Sequence, residues 1–155
     1  MTSDDSTTIH VEQTLPHPVE RVWAALTTPS QLAVWLMPND LELVVGHRFT
    51  MQGQPMEIVG FSGVVASEVL EVVPQQRLRL TWQDAHNPAS LDSVVTFELT
   101  PEGEGTRLVV EQDGFVPDDE RQQTSRRIMG GGWSGHLLRR LATLLDEQEE
   151  KTARA

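Results

Sequence analysis

One pair of side chains in the sequence could transfer a proton. Asp84 and His86 stand two residues apart in the polar stretch that follows Trp82. A carboxylate beside an imidazole can act as a general acid–base pair when both groups lie at the mouth of a pocket. Pairings this short also arise by chance in polar loops, so the sequence leaves the role of this one open. No catalytic residue is assigned from the sequence.

Most other reactive groups are missing or poorly placed. The chain of 155 residues has no Cys and no Tyr, and its single lysine, Lys151, is close to the C-terminal end. Thiol nucleophiles and thiolate metal sites are therefore excluded, and a Schiff-base lysine in a pocket is not expected. The five histidines do not pair with one another at metal-binding spacing, and no phosphate-loop or dinucleotide-binding motif occurs. We therefore predict no metal and no cofactor.

The charge of the chain bears on its partners. Acidic residues outnumber basic ones 23 to 12, which gives a net charge of -11. Such a surface repels the phosphates of nucleic acids, and nucleic acid is not expected as a partner. No run approaches the ~18 apolar residues of a membrane span, so membrane insertion is not expected. The polar, acidic N-terminal residues do not have the basic-then-apolar order of a signal peptide, which favours a cytoplasmic location.

The elements that position the polar and aromatic side chains follow from hydrophobic spacing and from proline. A strand is predicted over 9–15, followed by two short helices that start at Pro18 and Pro29. Further strands are predicted over 41–45, 48–51, 56–73, 77–83, 93–100 and 106–113. Gly46-His47 is interpreted as the loop of a hairpin between 41–45 and 48–51, and a bend is expected near Gly60 or Gly63.

The last element is predicted to be one long helix from Asp118 to about Gln148, with a weak spot at its glycines. Its leucine stripe must pack on the antiparallel sheet, which indicates an α+β fold in which a curved sheet grips a helix. We expect a single domain over 9–148, with disordered tails at 1–8 and 149–155.

The helix also predicts a cavity. If the helix turns 100° per residue and its apolar face is centred on Leu141, the same line carries Ser134 and Gly130 one to two turns earlier. These small side chains would leave room between the helix and the sheet. Gly130-Gly131-Gly132 should cost the helix about 2–3 kcal/mol relative to alanines. A kink that follows the sheet, a close backbone approach to a ligand or to the two short helices, or a break into two helices could each explain the triplet.

The candidate ligand-binding residues are Gly130 and Ser134 together with large apolar side chains and a glutamine near this gap. Gln112 continues the inward face of the last strand, where it could orient a polar group of a ligand or meet water at the rim. The aromatic residues and methionines could instead simply fill the core, and His136 and Arg140 are interpreted as solvated side chains. The full set is Trp35, Met37, Met51, Trp82, Gln112, Phe115, Gly130, Trp133 and Ser134.

Several segments of the sequence resemble a known superfamily when they are taken in order. They are PVERVWAALT at 18–27, QLAVWL at 31–36, GVV at 63–65, VVP at 72–74, RLRLTW at 77–82, TRLVVEQDGF at 106–115 and the Gly132-Trp133 pair before the leucine stripe. Together they cover about residues 9–145. In this order they resemble the START-like, or SRPBCC, superfamily, and within it the bacterial branch similar to the C-terminal domain of the activator of heat-shock-protein-90 ATPase.

The resemblance implies the helix-grip fold, also called birch-pollen-allergen-like. In this fold, two short helices follow the first strand and a curved antiparallel sheet surrounds a long C-terminal helix. Members of the superfamily bind sterols, lipids, hormones or polyketides between the sheet and the helix; others are cyclases, hydrolases or chaperone partners. The resemblance supplies no fixed catalytic set, and fold alone does not decide function.

Three functions follow as hypotheses. The first is a binding protein that holds a hydrophobic or amphipathic small molecule, lipid-like or polyketide-like, between sheet and helix. The second is a cyclase- or hydrolase-type enzyme that uses the same cavity with Asp84, His86 or Gln112. The third is a co-chaperone-like interaction module whose acidic surface meets a basic protein partner. The sequence also leaves open whether the protein forms a homodimer.

Overall fold

A computed structural model describes residues 5–154 of the chain; residues 1–4 of the predicted N-terminal tail and residue 155 lie outside this range. The strands are β1 (Thr8–Leu15), β2 (Arg48–Gln52), β3 (Val64–Val73), β4 (Arg77–Asp84), β5 (Asp92–Glu102) and β6 (Gly105–Asp113). The helices are α1 (Val19–Thr27), α2 (Pro29–Trp35), α3 (Glu120–Gly132) and α4 (Leu138–Arg154), with a π-helical turn at Trp133–Leu137 between the last two.

The six strands form one antiparallel sheet in the order β1-β6-β5-β4-β3-β2. Alternate residues of the central strands face the helices, because side chains of a strand point to opposite faces in turn. Leu78, Leu80 and Trp82 of β4 are buried in this way, as are Val95 and Phe97 of β5. The curved sheet and the long C-terminal helix that packs on it confirm the predicted α+β helix-grip fold.

The two short helices are separated where proline predicts a boundary. Pro18 immediately precedes α1 in an extended conformation, and Pro29 is the first residue of α2. Thr28 between them is also extended, which ends α1. The indole Nε1 of Trp35 donates a hydrogen bond of 2.9 Å to the carbonyl oxygen of Ala25. This buried bond fixes α2 against α1.

The predicted hairpin over 41–51 is wrong. Only the second of its two strands forms, as β2, whereas 41–45 is a loop in which Val44 and Val45 are exposed. The carboxylate of Asp40 accepts the backbone N–H of Thr50 at 2.9 Å, a donor that a hairpin partner would otherwise take. Gly46 then donates its N–H to the carbonyl oxygen of Val69 in β3. The loop is therefore held by polar contacts of its two ends, with Thr50 and with Val69, rather than by pairing of 41–45 with β2.

The single extended run predicted over 56–73 is also divided. Glu57–Val59 form a turn of 3-10 helix, and only Val64–Val73 is a strand. Gly60 and Gly63 have φ angles of 70° and 100°, which interrupt the extended backbone rather than bend it. The resulting loop stands over one end of the sheet.

The C-terminal helix is continuous through its glycines. Gly132 has helical angles, φ -64° and ψ -49°, so the structure does not support a break into two helices. The N–H of Leu138 donates to the carbonyl oxygen of Trp133, five residues earlier, and this bond closes the π turn. Residues 149–154, which we assigned to the tail, continue α4. At the other end, residues 5–7 form a 3-10 turn.

The connection from β6 to α3 depends on a glycine. Gly114 has a φ of 126°, and a Cβ placed on it would collide with the carbonyl oxygen of Asp92 in β5. The close approach lets the chain turn back over the end of the sheet, where Phe115 is buried in the core. The segment that precedes α3 is thus held against the start of β5.

Candidate functional site

A cavity of about 610 Å³ lies between the sheet, the C-terminal helix and the loops around residues 52–61 and 84–91. Its volume is in the range of small-molecule binding sites, and most side chains around it are apolar. The residues that line it are Leu36, Met37, Pro38, Gln52, Gly53, Gln54, Met56, Val59, Phe61, Val65, Trp82, Asp84, Ser90, Leu91, Ser125, Ile128, Met129, Gly132, Trp133, His136, Leu137 and Arg140.

An aromatic cluster forms one wall of this cavity. The ring of Trp133 lies 5.9 Å from that of Trp82, 5.8 Å from Phe97 and 6.5 Å from Trp35, in tilted or edge-on arrangements. Trp82 and Trp133 border the cavity, whereas Trp35 and Phe97 are buried outside the lining. Aromatic pairs of this geometry are favourable beyond the area they bury. These ring contacts therefore connect this wall of the cavity to the core.

A chain of buried hydrogen bonds orients Trp133. The indole Nε1 of Trp133 donates to Oε1 of Gln112 at 3.0 Å, and Nε2 of Gln112 donates to the hydroxyl of Ser93 at 3.0 Å. That hydroxyl in turn donates to the carbonyl oxygen of Trp82 at 2.8 Å. Gln112 is fully buried and outside the cavity lining, so neither role we considered for it, contact with a ligand or with water at the rim, is supported by its geometry.

The π turn corrects the predicted face of the helix. Because Trp133 and Leu138 are five residues apart across this turn, the inward line continues from Leu138 to Trp133 rather than to Ser134. Further toward the N-terminus the line passes through Met129 and Ser125. Ser134 is exposed and donates its hydroxyl to the carbonyl oxygen of Gly130. Straight α-helical geometry misplaced this line by one residue.

The predicted ligand-binding residues consequently separate into three groups. Met37, Trp82 and Trp133 line the cavity. Trp35, Met51, Gln112 and Phe115 are buried but do not line it, which contradicts their expected place at its surface. Gly130 and Ser134 border an outer groove between α3 and β1 rather than the cavity, so their predicted place in the gap is wrong. That any of these residues binds a ligand remains a prediction.

The Asp84–His86 pair does not form a proton-transfer couple in this structure. Asp84 is buried, and its carboxylate accepts the hydroxyl of Ser62 at 2.6 Å and the backbone N–H groups of Ser62, His86 and Asn87. Burial alone would raise the pKa of Asp84, but these four hydrogen bonds outweigh it and hold the pKa below its ordinary value. The side chain of His86 is exposed. Asp84 therefore organises the loop beside the cavity.

Sequence reasoning missed the loop side chains that cover the cavity. Met56, Val59 and Phe61 all line it, and they come from the segment predicted as an extended run. Alternation could not reveal them, because their positions depend on the 3-10 turn. The signal in the sequence was the repeated glycine at Gly53, Gly60 and Gly63, which marks an apolar segment that does not continue as a strand.

A histidine with two carboxylates lies further along the C-terminal helix. Nε2 of buried His17 donates to Asp146 at 2.8 Å, and Nδ1 lies 3.5 Å from a carboxylate oxygen of Glu149. Their potential ligand atoms lie within 4.8 Å of one another, although both carboxylates are mostly exposed. The contacts already made by the ring nitrogens explain the arrangement as a link between α4 and the segment after β1.

The sequence profile of the family described as Activator of Hsp90 ATPase homolog 1-like protein matches residues 16–146, which is most of the chain. The chain belongs to this family. No curated protein matches the sequence.

Several solved structures have a similar fold. Protein MLL2253 from Mesorhizobium loti is 42% identical, with a TM-score of 0.79 over 90% of this chain and 97% of its own. CalU16 from Micromonospora echinospora is 25% identical, with a TM-score of 0.69 over 95% of this chain and 81% of its own. Protein NE0264 from Nitrosomonas europaea has a TM-score of 0.74 at 24% identity, over 96% and 99%. These similarities cover 90% or more of this chain and between 81% and 99% of the other chains.

Within residues 5–154, no helix is both long enough and apolar enough to cross a membrane.

Proposed function

We propose that this member of the Activator of Hsp90 ATPase homolog 1-like family is a small-molecule binding protein whose cavity holds a hydrophobic or amphipathic ligand, lipid-like or polyketide-like. The observation that carries the proposal is the cavity of about 610 Å³ between the sheet and the C-terminal helix, with its mostly apolar wall.

The groups around the cavity favour binding over chemistry. Asp84 has its carboxylate oxygens occupied by hydrogen bonds from its own loop, and Gln112 is committed to Trp133 and Ser93. His136 and Arg140 border the cavity, but among the described side chains neither has a carboxylate partner that would activate or orient it. The cyclase- or hydrolase-type alternative therefore has no assembled acid–base pair to support it.

The simplest test is native mass spectrometry of the protein purified without added ligand. A co-purifying small molecule that is released on denaturation would support the proposal. Its identity would also separate the lipid-like from the polyketide-like class.

A sharper test uses two neighbouring glycines of α3. Gly132 lines the cavity, Gly131 borders the outer groove, and a Cβ at either position would meet open space. Gly132→Trp should fill part of the cavity and weaken binding of the neutral fluorophore N-phenyl-1-naphthylamine by about tenfold or more, equivalent to about 1.4 kcal/mol.

Gly131→Trp is the matched control, because it makes the same change one residue away and directs the ring outside. Both variants should fold, since replacing a helical glycine generally favours the helix. Equal loss of binding in both variants, or unchanged binding in Gly132→Trp, would contradict the proposed place of the ligand. A wild-type protein that binds no fluorophore and carries no small molecule would contradict the function itself.

A further inference from the structure

The helix that covers the cavity has an unusual distribution of charge for this acidic protein. Between Glu120 and Asp146 the sequence contains no Asp or Glu, although the whole chain has 23 acidic residues. The same stretch contains Arg121, Arg126, Arg127, Arg139 and Arg140, and also His136. The covering helix is thus the cationic part of a chain whose net charge is -11.

Arg140 and His136 place part of this charge at the cavity. Both side chains line it, and they are four residues apart on the helix, so they lie on the same face about one turn from each other. Among the residues whose side chains the structure describes, the arginines that pair with a carboxylate are Arg48, Arg77 and Arg107. Arg140 therefore borders an apolar cavity with its guanidinium available to another anion.

The carboxylate of the cavity lining, Asp84, does not compensate this charge. Its oxygens accept four hydrogen bonds from Ser62, His86 and Asn87. Among the described residues, no ion pair joins Asp84 to Arg140. The carboxylate of Asp84 is therefore engaged within its own loop.

We infer that the cavity takes an amphipathic ligand with one anionic end, such as a carboxylate, which binds at Arg140 and His136 while the apolar body lies between the helix and the sheet. This inference rests on the proposed function. A guanidinium can hold a carboxylate through two parallel hydrogen bonds, so it fixes the orientation as well as the charge of the ligand. The acidic surface elsewhere would repel the same anion, which makes the local cations decisive.

The test compares three probes with the same twelve-carbon chain: dodecanoate, dodecanol and dodecyltrimethylammonium. Each competes with N-phenyl-1-naphthylamine for the wild-type protein. Dodecanoate should bind about fivefold to tenfold more tightly than dodecanol, a range that allows for solvent screening at an exposed arginine. The cationic probe should bind more weakly than dodecanol.

The variant Arg140→Gln should lower the affinity for dodecanoate toward that for dodecanol and should affect dodecanol less than dodecanoate. Arg139→Gln is the matched control, because it removes the same charge from the next residue, which is exposed and outside the cavity lining. An equal effect of both variants, or dodecanol binding as tightly as dodecanoate to the wild type, would overturn the anionic-end inference and leave the proposed function standing. If neither the fluorophore nor any alkyl probe binds, the proposed function fails.

Discussion

The two halves of the C-terminal helix perform different tasks. In α4, Leu138, Leu141 and Leu145 are buried and fill the space over the sheet. In α3, the cavity side carries the small side chain of Ser125 and the partly buried Met129. The π turn joins the two halves and turns Trp133 inward. One continuous helix can therefore close a core at one end and cover a cavity at the other, when side-chain volume and helical phase change together.

The largest expected effect comes from shortening one side chain in each half, which tests whether the two halves are packed differently. Leu141→Ala removes a fully buried side chain and should lower the free energy of unfolding by about 3 kcal/mol. Met129→Ala, which shortens a side chain that already faces the cavity, should cost about 1 kcal/mol or less. Urea denaturation of both variants measures the difference. Similar losses would show that the α3 half is packed as tightly as the α4 half.

The junction between the halves supplies a second prediction. Gln112→Met removes the acceptor of the Trp133 indole and leaves a buried N–H without a partner, which should cost about 2 kcal/mol. Trp133→Phe removes the indole N–H, which is the donor of the same hydrogen bond.

A double-mutant cycle separates the hydrogen bond from the packing. If the bond orients Trp133, the double variant should be less destabilised than the sum of the single variants by about 1 kcal/mol in urea denaturation. Strict additivity would mean that Gln112 contributes by filling space alone.

The loop beside the cavity supplies the smallest expected effect. Asp84 has a folded-state pKa below its ordinary value, so its ionised form stabilises the fold. This stability is present above about pH 4, where the unfolded carboxyl is also ionised, and is lost as the pH falls through the folded-state pKa.

Asp84→Asn should therefore lower the free energy of unfolding by about 1 kcal/mol at pH 7, because the amide offers fewer acceptors to the loop. The difference in the free energy of unfolding between wild type and Asp84→Asn should become smaller as the pH is lowered from 5 toward 2. A difference that stays constant across this range would contradict the hydrogen-bonded role of the carboxylate.

The sequence predicted those parts of the fold that depend on simple periodicity. The alternation of Leu78, Leu80 and Trp82 marked a half-buried strand, and the leucines from Leu138 to Leu145 marked the packed face of the helix. Prolines at 18 and 29 placed the short helices. Each of these signals is local, and each agrees with the tertiary structure.

The predictions that were wrong depend on contacts between distant parts of the chain or on irregular helical geometry, which local spacing does not reveal. The π turn adds one residue to a helical turn, and no pattern of α-helical spacing registers that addition, so Ser134 was placed where Trp133 lies. The loop over 41–45 has the valines of a strand, but the carboxylate of Asp40 takes the hydrogen bond that a strand partner would need. Gln112 was visible as an inward polar residue, whereas its partner depends on the phase of a distant helix.

The central claim is that a small molecule lies between α3 and the sheet, and the methionines can test it directly. Met37, Met56 and Met129 line the cavity, whereas Met51 is fully buried in the core outside the lining. In a spectrum of the protein labelled with ¹³C at the methionine methyl groups, N-phenyl-1-naphthylamine should shift the three cavity signals most and Met51 less. A probe that binds and leaves all three cavity signals unmoved would contradict the account.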